Sequence, residues 1–358
     1  MNLEISVELT QSPKARPAAD KLGFGRHFSD HMFITLYTEG SWRNARVVPY
    51  QALPLDPGAT VLHYGQAIFE GMKAYRGVDG KIRLFRPEEN WRRMHASAER
   101  LCMKMVDLDT FLGAIKALVR TDREWVPSEP GTALYIRPTL IATEAFLGVR
   151  PAQEYAFFII TSPVGAYYGD KVEPVKIWVE RKYTRAAPGG IGSAKAAGNY
   201  AASLLAATQA KERGFDQVLW LDAAQKTFVE EVGTMNVFFR FDNTVVTPAL
   251  TGTILPGITR DSVIRLLHKK DMRVEERPLT IDEVLEGAQS GRLKEVFGTG
   301  TAASISPVGA LGVDERLIPI GNGEAGELAQ ELYQTLNDIQ YGKAEDLFGW
   351  TMEIPTEA

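Results

Sequence analysis

Lys195 stands in the run Gly189-Gly190-Ile191-Gly192-Ser193-Ala194-Lys195-Ala196-Ala197-Gly198-Asn199-Tyr200, one long amine among residues with almost no side chain. An amine in a tight, poorly hydrated place with no carboxylate beside it has its pKa pushed down and becomes nucleophilic toward carbonyls, which is the chemistry of a Schiff-base lysine. The same run fits a solvated lysine on a flexible glycine loop, so other residues must decide. Glu230 and Glu231 fall in a strand-like stretch, where the period of two sends them to opposite faces and lets one point inward. A carboxylate inside needs a cation or an N–H partner, and a protonated pyridine nitrogen would serve; a plain pair of acids at a strand end is the alternative. Leu255-Pro256-Gly257-Ile258-Thr259-Arg260-Asp261 opens a helix whose apolar face is Val263, Leu266 and Leu267. The first N–H groups of such a helix bind phosphate or accept a cap.

Phe297-Gly298-Thr299-Gly300-Thr301-Ala302-Ala303 is a second loop of small residues, either a turn between strands or a place where an anion approaches the backbone. Arg86, Arg92 and Arg93 could fix a guanidinium on a phosphate or face solvent. His27 and His31 have the i, i+4 spacing of a helical metal pair, but the local pattern is strand-like and no Cys/His cluster accompanies them, so no metal is expected. No serine sits in a Gly-X-Ser-X-Gly elbow, which disfavours a serine hydrolase.

The elements that must position these groups alternate in type. His31–Tyr37, Lys81–Phe85 and Ala133–Arg137, the last stopping at Pro138, read as strands. Trp91, Met94, Ala98 and Leu101 give residues 90–104 one helical face. Val175–Val179 begins a second half in which a helix from about Tyr200 carries Leu204, Leu205 and Ala207 and stops at Gly214. Val218–Asp222, Thr227–Val232, Asn236–Phe241 and Thr244–Thr247 read as strands, and Glu324–Ile339 as a late helix. The expected organisation is an α+β chain with a loose arm over the first 30 or so residues. A small N-terminal domain covers residues 1–163, a linker 164–175, and a larger domain 176–358.

Composition narrows the class. The chain has 358 residues, 45% hydrophobic and 24% charged, with a net charge of -5. Those are globular values with no basic field for a nucleic acid backbone. The longest apolar run, Tyr155–Tyr168, is broken by Thr161, Ser162 and Pro163, so neither a membrane span nor a signal peptide is expected. The single cysteine, Cys102, lies in a helix-like run between Leu101 and Met103 and reads as a small core residue in a reducing, cytoplasmic compartment.

Seven segments occur together in order: Phe69-Glu70-Gly71-Met72-Lys73-Ala74, Arg83-Leu84-Phe85-Arg86-Pro87, Tyr135-Ile136-Arg137-Pro138, the Lys195 run, Glu231–Asn236, Leu255–Arg260 and Gly298–Ala302. Over residues 24–309 the chain thereby resembles the class IV, fold type IV, pyridoxal-phosphate aminotransferases, most closely the branched-chain amino acid aminotransferases. The resemblance implies a small α/β domain, a larger domain with a pseudo-barrel strand core, and a homodimer. It implies pyridoxal 5'-phosphate on Lys195, which would also move the proton between substrate and cofactor. Tyr200 would bind the cofactor's phenolic oxygen and Glu231 its ring nitrogen. Arg93, Ile258, Thr259 and Thr301 would hold the phosphate, with Leu255 and Gly257 in the same turn and Thr234 near the ring.

For the substrate, the resemblance implies an apolar pocket of Phe24, Tyr64, Phe69 and Tyr167, and a loop at Leu147 and Val149 reaching in from a partner subunit. Tyr135, Thr301 and Ala302 would bind the α-carboxylate, and Arg137 the distal carboxylate of glutamate or 2-oxoglutarate. The implied reaction is reversible amino transfer between L-leucine, L-isoleucine or L-valine and 2-oxoglutarate. A D-amino acid transaminase or aminodeoxychorismate lyase of the same fold is the alternative. Some relatives carry a Cys-X-X-Cys pair after the Gly-Thr-Ala loop; Ala303 and Ser306 stand there, so no thiol switch is expected.

Overall fold

The computed structural model describes residues 3–165, 173–314 and 316–355. The chain forms two compact units, one of residues 1–169, 194–197 and 337–358, the other of residues 170–193 and 198–336.

The first unit carries β1 (Ser6–Val7), β2 (His31–Thr38), β3 (Ser41–Pro49), β4 (Ala67–Phe69), β5 (Met72–Arg76), β6 (Ile82–Phe85), β7 (Ala133–Ala142) and β8 (Tyr155–Val164). They order as β1-β3-β2-β8-β7-β5-β6, with β4 also on β7. All these pairings are antiparallel except β1 with β3. Contrary to the expected stop, β7 runs straight through Pro138. Its carbonyl accepts from Glu70 N at 2.8 Å, so its ring nitrogen faces the same side, at the gap where β5 gives way to β4 as neighbour. The missing N–H costs no ladder bond there.

Three helices join the sheet: α1 (Thr60–Tyr64), α2 (Pro87–Arg100) and α3 (Leu108–Thr121). Asp107 caps α3 by accepting from Thr110 N at 2.7 Å. Phe111, Ala114, Ile115, Leu118 and Val119 form its buried stripe, and Phe111 meets Phe157 of β8. Pro87 at the first turn and Glu88 and Glu89 behind it suit the start of α2. Cys102 does not enter the core. It follows α2 in a left-handed turn with φ 55° and is exposed, because the chain must reverse there to close the helix end.

The second unit holds β9 (Val175–Glu180), β10 (Gln217–Leu221), β11 (Val229–Val232), β12 (Asn236–Phe241), β13 (Thr244–Thr247), β14 (Arg273–Glu276), β15 (Leu293–Gly300), β16 (Ser304–Val313) and β17 (Arg316–Pro319). The order is β11-β10-β9-β16-β15-β12-β13-β14 with β17 on β16, a curled half-barrel sheet. Its core is aliphatic, including Ile177, Leu219, Val237, Val296 and Leu311. Around it lie α4 (Ala197–Glu212), α5 (Ile258–Lys269), α6 (Ile281–Gln289) and α7 (Glu327–Gln340). In α4 the expected leucines face outward: Leu204 and Leu205 are exposed, while Ala206 and Ala210 pack with Val218 and Trp220. Small side chains let the helix approach that strand closely, and leucine would hold it away.

The last strand, β18 (Thr351–Ile354), pairs with β6 of the first unit. The expectation that the tail belongs to the second domain fails. Tyr341, Trp350 and Ile354 are buried in the first unit, and Tyr341 Oη donates to Thr132 O at 2.6 Å. Three large apolar side chains that would otherwise face water account for this return.

Candidate active site

In the first unit, Lys195 is tied by its backbone before its amine is considered. Its N–H donates to Ser97 Oγ of α2 at 2.9 Å, and its carbonyl accepts from Phe69 N at the end of β4 at 3.1 Å. Its Nζ lies 4.9 Å from the Phe69 ring centroid, at cation–π range. The expectation of no carboxylate nearby fails. Glu70, wholly buried, is close enough for the Lys195 charge to act on it. No local sequence pattern reveals this, because β4 and the Lys195 run meet only in the folded chain.

Glu70 receives Arg93 Nε at 2.7 Å and Nη2 at 2.8 Å, Asn90 Nδ2 at 2.7 Å and Gly71 N at 3.1 Å. Burial pushes its carboxyl up; the Arg93 guanidinium outweighs that, with help from Lys195 and Asn90, and holds it below the usual carboxylate range. Arg93, expected on phosphate, is thus held by a bidentate carboxylate. Lys73 on β5 is a second buried amine, which burial pushes down to about 8.

Arg137 is cradled by rings. Its guanidinium carbon is 4.6 Å from the Phe69 centroid and 5.2 Å from that of Tyr135, and Nη2 donates to Tyr135 Oη at 2.8 Å. Its Nε is buried without a hydrogen-bond partner. Phe24 stands edge-on to Tyr135 at 4.9 Å. Gly71 is required here, since a Cβ would fall 2.0 Å from Tyr135 Oη. Phe24, Phe69, Tyr135 and Arg137 therefore form one cluster. Tyr64, Leu147 and Val149 form another patch, with Tyr64 Oη donating to Leu147 O and all three exposed. Tyr167 lies outside the described residues. A cavity of about 620 Å³ against β2 and residues 51–55 contains none of these residues.

His27 and His31 do not pair. Nδ1 of buried His31 lies 2.6 Å from Asp122, and His27 Nε2 contacts Lys21 O at 3.2 Å. Among the described residues no cluster of three or more His, Cys, Asp or Glu could hold a metal.

In the second unit, Tyr200 and Ser203 of α4, Glu231 of β11, Thr234 and Leu255 line one cleft with Arg185. Both strand acids are buried, though the period of two sends them to different neighbours. Glu231 takes Leu255 N at 2.9 Å and Asn236 Nδ2 at 3.4 Å on Oε1, and Arg185 Nε lies 2.8 Å from Oε2. Glu230 accepts Thr253 Oγ1 at 2.5 Å, and burial pushes its carboxyl up against the lowering effects of Thr253 and Arg185. Gly257 is the N-cap of α5 and provides no side-chain cap for the first turn at Ile258 and Thr259. A Cβ on Gly257 would meet Asn236 Oδ1 at 1.9 Å, so glycine is needed for that approach. Thr301 and Ala302 lie in the turn between β15 and β16, beside Thr299, whose buried Oγ1 has no hydrogen-bond partner.

Each unit carries its own chemistry: the first has an amine beside a buried carboxylate, and the second has a helix start without a side-chain cap and a carboxylate inside a cleft. The family model for amino-transferase class IV matches residues 67–311. The chain belongs to the class IV aminotransferases. This aminotransferase is 50% identical over 356 residues to branched-chain-amino-acid transaminase 1 of Bacillus subtilis (strain 168), covering 99% of this chain and 100% of that protein. It is 51% identical over 351 residues to branched-chain-amino-acid aminotransferase 2 of the same organism, covering 98% and 97%. Among solved structures, the T.th. branched-chain amino acid aminotransferase with pyridoxamine 5'-phosphate superposes with TM-score 0.76 at 30% identity, covering 90% of this chain and 98% of that one. The Escherichia coli branched-chain enzyme gives TM-score 0.73 at 28% identity, covering 90% and 99%.

Two residues of this aminotransferase's clusters escape the sequence reading. Glu70 is visible there only as part of a motif, and Arg185, in an irregular stretch before the glycine-rich run, carries no periodic or capping signal.

Proposed function

We propose that this aminotransferase is a branched-chain amino acid transaminase, exchanging the amino group of L-leucine, L-isoleucine or L-valine with 2-oxoglutarate in a two-stage, ping-pong cycle. The observation that carries the reading is Arg137, one cation set on the faces of Phe69 and Tyr135. An aromatic wall takes a branched side chain by burial, and a guanidinium in the same wall takes the distal carboxylate of glutamate. One pocket can thereby serve both halves of the cycle. The full-length likeness to branched-chain transaminases supports the same substrates.

Pyridoxal 5'-phosphate fits the residues present. When bound, it supplies a carbonyl for the substrate amine and an electron sink for the bond broken at Cα. Lys195 would hold it through Nζ and move the proton at substrate Cα. Glu231 would face its ring nitrogen, Tyr200 its phenolic oxygen and Thr234 its ring. Arg93, Ile258, Thr259 and Thr301 would take its phosphate, with Leu255 and Gly257 shaping that turn. Tyr135, Thr301 and Ala302 would receive the α-carboxylate, and Phe24, Tyr64 and Tyr167 complete the apolar wall. A homodimer in the cytoplasm is part of the reading. The exposed apolar patch of Leu62, Tyr64, Phe146, Leu147 and Val149 supports the dimer, since a monomer would leave it in water.

Steady-state assays with each branched-chain amino acid and 2-oxoglutarate, run beside D-alanine and aminodeoxychorismate, test the reading. Turnover with the three L-amino acids above the other two is expected. Preferred turnover of D-alanine, or release of pyruvate from aminodeoxychorismate, would replace it with the corresponding relative of the same fold.

A further inference from the structure

Glu231 has a neighbour that no part of the reaction so far uses. The Arg185 side chain is 8% exposed, and its Nη2 donates to Thr253 O at 2.5 Å and Gly192 O at 3.1 Å. Those two bonds fix the guanidinium to the backbone on either side. Its Nε, 2.8 Å from Glu231 Oε2, is not aligned for a hydrogen bond. The contact is an ion pair rather than a directional bond, so its effect is that of a fixed positive charge against one carboxylate oxygen. Leu255 N–H and Asn236 Nδ2 donate to the other oxygen. This surrounding suits a carboxylate and opposes a carboxylic acid.

Glu230, the next residue along the same strand, shows the contrasting case. It is as deeply placed, but its one bonded oxygen meets a hydroxyl, and its Oε2 is buried without a hydrogen-bond partner. Burial raises that carboxyl. Of two adjacent glutamates in β11, the one facing the cleft is the one in direct contact with the guanidinium.

We propose that Arg185 is a positioning residue for Glu231. It keeps Glu231 anionic, so that a proton shared between this carboxylate and a ligand ring nitrogen rests on the nitrogen. A proton on Glu231 would stand next to the guanidinium, and like charge opposes that transfer. Arg185 touches neither substrate nor cofactor in this role; it acts through Glu231. The inference rests on the assignment of Glu231 to the ring nitrogen made above.

The test uses holoenzyme loaded with pyridoxal phosphate carrying ¹⁵N in the ring, read by solid-state ¹⁵N NMR, in wild type, Arg185→Gln, Arg185→Lys and Glu231→Gln. Wild type should show a protonated ring nitrogen. Arg185→Gln should move the signal toward the neutral position and lower kcat about ten- to a hundredfold, as loss of an outer partner of a ligating group does. KM should change less than about threefold, within the scatter of uniform binding effects. Arg185→Lys, which keeps a cation but draws it back from Glu231, should fall between them, and it carries the test if the glutamine variant does not fold. A wild-type ring signal in the arginine variants overturns the proposal while leaving Glu231 in place, provided Glu231→Gln moves the signal. A signal that Glu231→Gln also leaves unmoved overturns the assignment of Glu231 itself.

Discussion

Lys73 and Lys195 sit in the same unit and answer to opposite descriptions. Lys73 is buried in a strand, and burial pushes its amine down to about 8. Lys195 is only half-buried, lies over an aromatic face and acts electrostatically on an ionised glutamate. Desolvation is therefore a poor guide to which lysine is the nucleophile. A reacting amine must be reachable by a carbonyl, and a strand interior on β5 denies that access. What singles out Lys195 is its mounting, with one backbone bond to α2 and one to β4, close to Glu70 and Arg93.

Substitutions at the two places should separate these explanations. The largest effect is expected for Lys195→Ala, a loss of turnover of about a thousandfold or more. Glu70→Gln should come next. It removes the anion that receives Arg93 and loosens an anchor proposed for phosphate, so cofactor affinity measured by fluorescence titration should fall about tenfold. Ser97→Ala deletes the acceptor of the Lys195 N–H and should cost about 1 kcal/mol, a few-fold in kcat/KM. Lys73→Met should leave turnover within about threefold of wild type.

The same Lys73 substitution has a signed effect on stability. The folded pKa of about 8 lies below the unfolded value of roughly 10.4, so the unfolded chain binds more protons between them. The penalty of burying this amine is full below pH 8 and fades as pH rises toward roughly 10.4. Lys73→Met should therefore stabilise the protein at pH 7, on the order of 1–3 kcal/mol, and that advantage should vanish in alkaline denaturation curves. An advantage that grew with pH would reverse the assignment.

The sequence was most legible where spacing alone decides the outcome. Asn236–Phe241 and Thr244–Thr247 are strands with the expected ends, because alternation and the Asp242-Asn243 turn are local. It was least legible where distant segments meet. Trp350 and Ile354 carry no signal that their strand will pair with β6, and Pro138 reads as a stop until the gap between β4 and β5 is seen. The candidate site divides in the same way. Lys195, Glu231 and the Gly257 helix start were visible as local oddities of charge and glycine. Glu70 and Arg185 were not, since a partner defined by a tertiary contact has no period to betray it.

Borohydride reduction of the holoenzyme, followed by peptide mass mapping, tests the central claim most directly. The reduced cofactor is predicted on the peptide containing Lys195, with Lys73 unmodified. Label on Lys73, or none on Lys195, would contradict it.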